Sequence, residues 1–222
     1  MASVAGRPFL ELLLRQLRRY GFERAILAVG YQSDVISSSL GDHACGLRLA
    51  YVVEFSPLGT GGAMRNAADQ IETDSALVTN GDSYTDVDLS QFVAEHRKSK
   101  AELSVVVVPA DGRGDIGSVR VNPDGRVTGF AEKESDLDSK YYINAGIYML
   151  SRTLLYDIPA GVPVSLEKEL FPRWLAARRD MKAFIHPGRC VDIGTPERYE
   201  IAQQMLASVE ENSVPATTVE KL

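Results

Sequence analysis

The feature that most constrains this chain is an alternation. Short apolar runs ending in glycine or a polar turn are each followed by a stretch whose apolar residues recur at helical spacing. Leu10, Leu13, Leu14 and Leu17 fall at i, i+3, i+4 and i+7. Residues 8–20 therefore predict a helix with one buried face, with Pro8 in its first turn and Gly21 as its stop. Residues 24–30, 47–53, 76–79 and 103–108 predict buried strands. Residues 33–40, with Ser33 as cap, 60–71 and 91–100 predict the helices between them. This alternation points to an α/β fold with a doubly wound, mostly parallel sheet.

Beyond residue 115 the texture changes. Residues 118–121 and 126–130 flank Asn122-Pro123-Asp124-Gly125 and predict a β-hairpin. Residues 141–150 read as a long strand, and 166–179 as a helix broken at Pro172. Residues 189–193 read as a short strand, followed by a helix from Pro196 to residue 207. Residues 1–208 are expected to form one domain and 209–222 a flexible tail.

Composition narrows the function classes. Lys plus Arg number 24 and Asp plus Glu 30, a net charge of −6. That balance argues against a nucleic-acid binder, whose footprint is basic, but leaves room for a local anion pocket. Cys45 and Cys190 have no metal-ligand spacing and read as free thiols, which fits a reducing, cytoplasmic setting. No apolar run reaches the ~18 residues that span a bilayer, and residues 1–8 lack a secretory pattern. No membrane association is expected.

Three segments carry the candidate chemistry. In Pro57-Leu58-Gly59-Thr60-Gly61-Gly62-Ala63, three glycines between a strand and a helix permit close approach of a ligand, and the helix N-terminus offers N–H groups. The pattern is neither GxxxxGK[ST] nor GxGxxG, and it also reads as a tight connecting turn. Asn80-Gly81-Asp82 closes a predicted central strand at the edge where open α/β sheets bind ligands. Asp82 there suits Mg²⁺, which usually takes one or two carboxylates plus substrate phosphates, although a turn aspartate fits as well. In Val191-Asp192-Ile193-Gly194-Thr195-Pro196-Glu197, a helix cap explains Thr195 to Glu197 but not Asp192. Asp82 and Asp192 are expected to converge on one metal. Glu132-Lys133 reads as a surface ion pair or as a sugar and phosphate contact. Asn144-Ala145-Gly146 weakens a strand interior and suggests a nearby ligand.

Taken in order, SPLGTGGAMRNA at 56–67, NGDSY at 80–84, FAEK at 130–133, INAGIY at 143–148, SLEKELFP at 165–172 and DIGTPERY at 192–199 resemble the sugar-1-phosphate nucleotidyltransferases. The subgroup they look most like is the D-glycero-α-D-manno-heptose 1-phosphate guanylyltransferases, with mannose-1-phosphate guanylyltransferases next. The resemblance covers residues 1–208. It implies a Rossmann-like nucleotidyltransferase fold with a β-hairpin sugar-binding insertion. It implies a reaction in which a sugar-1-phosphate oxygen attacks the α-phosphorus of GTP and pyrophosphate leaves, for cell-surface glycan synthesis. Carried over position by position, Asp82 and Asp192 bind Mg²⁺. Leu58, Gly59, Thr60, Gly61, Gly62, Asn80 and Gly81 face the nucleotide. Glu132, Asn144, Gly146 and Glu167 face the sugar. Lys133 meets the sugar phosphate, so that Asp82, Lys133 and Asp192 form the catalytic set. Oligomeric state, homo-oligomers included, is not set by these residues.

Members of the family carry a glycine-rich signature, GGxGTRLxPxTxxxPKPM, that is absent here. Met1 aligns with the Met that ends it. The resemblance thus implies that the signature and the first central strand are missing. Nucleotidyl transfer by these 222 residues is expected to be much reduced, with strands 24–30 and 76–79 flanking a gap or forced together. A second reading stays open, a non-catalytic regulatory or assembly subunit on the same fold. It accounts for the absent signature but not for the presence of Asp82, Lys133 and Asp192.

Overall fold

The structure, a computed structural model, describes residues 2–110, 117–131 and 141–211. They divide into two compact units, one drawn from Met1–Val53, Gly81–Tyr84 and Cys190–Leu222, the other from Glu54–Asn80 and Thr85–Arg189.

In the first unit the leucine-rich helix spans Phe9–Arg19, with Pro8 as its N-cap. Its two buried sides serve two cores. Leu14 packs with Ala25, Leu40, Leu47 and Leu49, while Phe9 and Leu13 pack with Val4, Val191, Ala202 and Leu206. Burial of each valine, leucine or phenylalanine among them contributes roughly 1.5–3 kcal/mol. Strand Arg24–Val29 runs parallel to Leu47–Val53, in register from Arg24↔Arg48 to Val29↔Val53. Helix Ser33–Leu40 lies between them in sequence, capped by a left-handed Gln32 rather than by Ser33. Two short antiparallel pairs were not legible in the sequence. Ala5-Gly6 and Cys45-Gly46 each have both residues at positive φ, the two-residue turn that matches strand twist. Helix Pro196–Glu211 closes the unit, its Gln203 taking the Ala5 amide at 2.8 Å and donating to the Ser3 carbonyl at 2.8 Å. Both cysteines are free thiols.

The second unit is built on the order Val127–Ala131, Ser118–Val121, Tyr141–Ser151, Leu103–Pro109, Met181–Ile185, with Ser75–Thr79 also on Tyr141–Ser151. The expected hairpin turns at Asn122–Gly125, closed by the Gly125 amide on the Asn122 carbonyl at 2.9 Å, with Gly125 at φ +74. The strand Leu103–Pro109 is buried from Leu103 through Val108, as its run of valines predicts. The break at Pro172 is present: a π-helical turn, Leu166–Leu170, leads into helix Phe171–Ala176 with the proline in its first turn.

The α/β class is borne out, but the sheets are mixed rather than mostly parallel. Leu103–Pro109 with Met181–Ile185 and the pair in the first unit are parallel. The exception is made by Tyr141–Ser151, which runs antiparallel to three strands. It therefore brings antiparallel pairing into a sheet whose Leu103–Pro109 and Met181–Ile185 strands run side by side in one direction. Along one edge its residues Tyr141 to Ile143 pair Ser118–Val121, and Ile147 to Ser151 pair Ser75–Thr79. The two partners part at Asn144-Ala145-Gly146, where the ladder on the opposite edge also slips register. Among the described residues, Arg24–Val29 pairs along one edge only, and so does Ser75–Thr79.

Candidate active site

The glycine segment forms the start of helix Gly59–Ala67. Its glycines are required by packing. A Cβ on Gly59, at φ +69, would lie 2.8 Å from the Val164 carbonyl oxygen. One on Gly62 would lie 2.8 Å from both Leu58 Cβ and the Val162 oxygen. The amides expected to be open at this helix start are partly spent: Gly61 and Gly62 both donate to the Val164 carbonyl, at 2.9 and 3.2 Å. Leu58 donates to Glu54 Oε2 at 3.1 Å and accepts from the Val164 amide at 2.8 Å. The segment 162–164 occupies the space that the glycines clear, and Gly59 and Thr60 remain exposed.

A directed chain of hydrogen bonds runs from the parting of the strands to the π-helical turn. The Gly146 amide donates to Asn144 Oδ1 at 3.0 Å, which fixes the orientation of that amide group. Asn144 Nδ2 then donates to the Tyr148 hydroxyl at 2.9 Å, and that hydroxyl reaches Glu167 Oε1 at 3.3 Å. Thr60 Oγ1 meets Glu167 Oε2 at 2.9 Å, and Ser165 Oγ meets the same oxygen at 3.3 Å. Gly146 sits at φ +70, and its carbonyl takes the Asn80 amide at 2.8 Å. The Asn80 side chain covers Gly146 where a Cβ would stand. Thus Asn80, Asn144, Gly146, Glu167 and Thr60, chosen from separate motifs, are brought together within the second unit. Tyr148 and Ser165 were missed. Asn144, Gly146 and Tyr148 recur at every second residue, so their shared strand face was a usable signal.

The carboxylates of Asp82 and Asp192 belong to the first unit. Strand Ser83–Thr85 pairs with Cys190–Asp192, and the Ile193 amide donates to the Asp82 carbonyl at 3.0 Å. Residues more than a hundred positions apart are thereby neighbours across a two-stranded ladder. Asp82 Oδ1 takes the Ser83 hydroxyl at 3.1 Å. Asp192 Oδ1 takes the Gly194 amide at 3.0 Å and Arg198 Nη1 at 3.1 Å. Thr195 caps the following helix by accepting the Arg198 amide at 3.3 Å, as its motif predicts. Among the described residues, no donor occupies the second oxygen of either carboxylate. A pair of hard oxygen ligands of this kind suits Mg²⁺. Arg198 is a further residue that the motif alone did not single out. Glu132 and Lys133 lie outside the described residues, as does the tail beyond residue 211.

Comparison with known proteins follows the same outline. The family model for nucleotidyl transferases matches residues 1–209. A mannose-1-phosphate guanylyltransferase of Mycobacterium tuberculosis is 37% identical over 202 residues, covering 90% of this chain and 56% of that protein. The chain therefore spans little more than half the length of that relative. A D-glycero-alpha-D-manno-heptose 1-phosphate guanylyltransferase of Aneurinibacillus thermoaerophilus is 29% identical over 206 residues, covering 93% of this chain and 88% of the relative. Among solved structures, HddC from Yersinia pseudotuberculosis, complexed with GMP-PN, superposes with a TM-score of 0.81 at 31% identity, covering 93% of this chain and 88% of the other. No helix among the described residues is long and apolar enough to cross a membrane.

Proposed function

The chain belongs to the nucleotidyl transferase family, and on that premise we propose that it transfers GMP from GTP to a manno-configured sugar 1-phosphate. Heptose 1-phosphate is our first assignment and mannose 1-phosphate the competitor. The product is a sugar nucleotide for cell-surface glycan synthesis in the cytoplasm.

The observation that carries this reading is the Ile193 amide bonded to the Asp82 carbonyl, which makes Asp82 and Asp192 neighbours, each with one carboxylate oxygen tied down and, among the described residues, no donor on the other. In the reaction a sugar-phosphate oxygen forms a bond to the α-phosphorus while the bond to the β-phosphate oxygen breaks, releasing pyrophosphate. Two anions must be aligned and their charge offset, a task of positioning and electrostatics. Asp82 and Asp192 would hold Mg²⁺, which when bound polarises and neutralises phosphate oxygens. Arg198 and the Gly194 amide keep the Asp192 carboxylate in place. Lys133 offsets the sugar phosphate. Asn144, Gly146, Glu132 and Glu167 receive the sugar, and Leu58, Gly59, Gly61 and Gly62 with Asn80 and Gly81 receive the nucleotide.

Pyrophosphate release by the purified chain tests the reading, with GTP, UTP and dTTP each offered against heptose 1-phosphate and mannose 1-phosphate. Release with GTP and one of the two sugars supports it. Release only with another base overturns the guanine assignment. Silence with every pair, both from the chain alone and with a GGxGTR…PKPM segment fused ahead of Met1, together with a stable hetero-complex, favours an assembly subunit. The 222 residues contain no GGxGTR…PKPM segment, so turnover is expected to rise when one is fused ahead of Met1.

A further inference from the structure

We propose that Thr60 is a positioning residue, whose side chain ties the glycine segment to the Glu167 carboxylate and thereby fixes the acceptor that Glu167 presents to a sugar hydroxyl. The proposal rests on the function argued above. It changes the part expected of Thr60, which the motif assigned to the nucleotide.

The argument follows the protons. Three hydroxyls contact Glu167, and each already accepts from a group that can only donate. The Leu166 amide donates to Thr60 Oγ1 at 2.8 Å, the Lys168 amide to Ser165 Oγ at 3.1 Å, and Asn144 Nδ2 to the Tyr148 oxygen at 2.9 Å. A hydroxyl has one proton to give, so each of the three gives it to Glu167. Oε2 receives two of these, from Thr60 and Ser165, and Oε1 receives one, from Tyr148. With two acceptor places per oxygen, Oε2 is filled, and among the described residues Oε1 keeps one place.

The carboxylate is thus gripped from a strand, from a helix start and from the turn that carries it. Its one remaining acceptor place points in a fixed direction. A site that accepts a hydroxyl proton at a fixed place rejects an analogue lacking that hydroxyl. Thr60 contributes the shortest of the three contacts on Glu167, and it alone reaches the carboxylate from the glycine segment.

The test uses the full chain with Thr60→Val, which keeps the shape and removes the hydroxyl, and Thr60→Ser, which keeps the hydroxyl. Calorimetry with α-D-mannose 1-phosphate is expected to show about tenfold weaker binding for Thr60→Val, the size of one lost hydrogen bond to a charged group. GTP affinity should stay within about twofold, and Thr60→Ser should restore the sugar phosphate. Hydrogen exchange at the Leu166 amide should rise in Thr60→Val and return to the parent level in Thr60→Ser. Should Thr60→Val fold poorly, Tyr148→Phe removes the donor on the other oxygen and carries the same binding split. Weaker GTP with unchanged mannose 1-phosphate would make Thr60 a nucleotide ligand and overturn the proposal, as would unchanged binding and exchange. If the parent binds no sugar phosphate, the functional reading fails, and the exchange result alone then decides whether Thr60 holds this turn.

Discussion

Arg198 Nη1 lies 3.1 Å from Asp192 Oδ1, and both side chains are about four-fifths buried, at 20% and 17% exposure. The guanidinium comes from the first turn of helix Pro196–Glu211, which Thr195 caps, so helix start and carboxylate are locked as one piece. Arg198→Ala would leave a buried carboxylate with the Gly194 amide as its donor. We expect a loss of about 1–3 kcal/mol, the usual size for a hydrogen bond to a charged group. A lowered urea midpoint with unchanged slope would show it, and an unchanged midpoint would refute it.

The metal assignment makes a separate prediction. Asp82→Asn and Asp192→Asn keep shape but remove the hard anionic oxygen. Each is expected to lower pyrophosphate release by about 100–1,000-fold, the cost of losing one well-placed charge-stabilising group. Asp192→Asn should also weaken the bond to Arg198 and lower the urea midpoint. Asp82→Asn can still accept the Ser83 hydroxyl and should unfold close to the parent. Full activity in Asp82→Asn would remove Asp82 from the metal site.

Much of this was legible in the sequence, because it rested on local chemistry. Helix Phe9–Arg19 and strand Leu103–Pro109 follow from side-chain spacing and β-branched runs. The break at Pro172 follows from its missing amide and its ring. The direction of Tyr141–Ser151 did not, because strand polarity depends on how the chain returns to the sheet, not on which residues it carries. The turns at Ala5-Gly6 and Cys45-Gly46 were hidden because alanine and cysteine rarely take positive φ. Asp82 and Asp192 could be named as a pair, but their adjacency comes from a three-residue strand too short to show a period. Tyr148 and Ser165 went unnoticed because a phenol in a strand and a serine before a helix have ordinary roles until Glu167 is placed between them.

Gly146 and Gly81, each one or two positions from a polar motif residue, should respond differently to alanine. Gly146 is at φ +70, and a Cβ there would lie 2.8 Å from Asn80 Nδ2 and 3.2 Å from Asn80 Cβ, so the whole Asn80 side chain is in the way. Left-handed backbone alone costs about 1–3 kcal/mol for a non-glycine residue. Gly146→Ala should lose at least that much stability and weaken sugar-phosphate binding through Asn144. A Cβ on Gly81 would meet nothing within 4 Å beyond its chain neighbours, so Gly81→Ala should unfold within about 0.5 kcal/mol of the parent, as an unconstrained surface change does. Equal stability losses at both positions would contradict the packing described.

Acid stability should trace to His96. The ring is buried at 6% exposure, and Nδ1 lies 2.8 Å from Ser104 Oγ. Burial, helped by the neighbouring Arg97 charge, holds its pKa below the ordinary value. Burial lowers His186 as well, partly opposed by Asp86. The sign follows from proton uptake. Above the ordinary imidazole value of about 6.5 both folded and unfolded chains carry neutral rings and no stability is lost. Below it the unfolded chain takes up protons that the folded chain refuses, so stability falls until the pH passes the lowered folded value. Unfolding in urea can be followed through Trp174, the single tryptophan, which lies in the same unit as both histidines. The midpoint should drop between pH 7.5 and 5.5, and His96→Asn, which cannot titrate, should flatten that drop and leave the share of His186. An identical pH slope in His96→Asn and parent would exclude the buried ring as the cause.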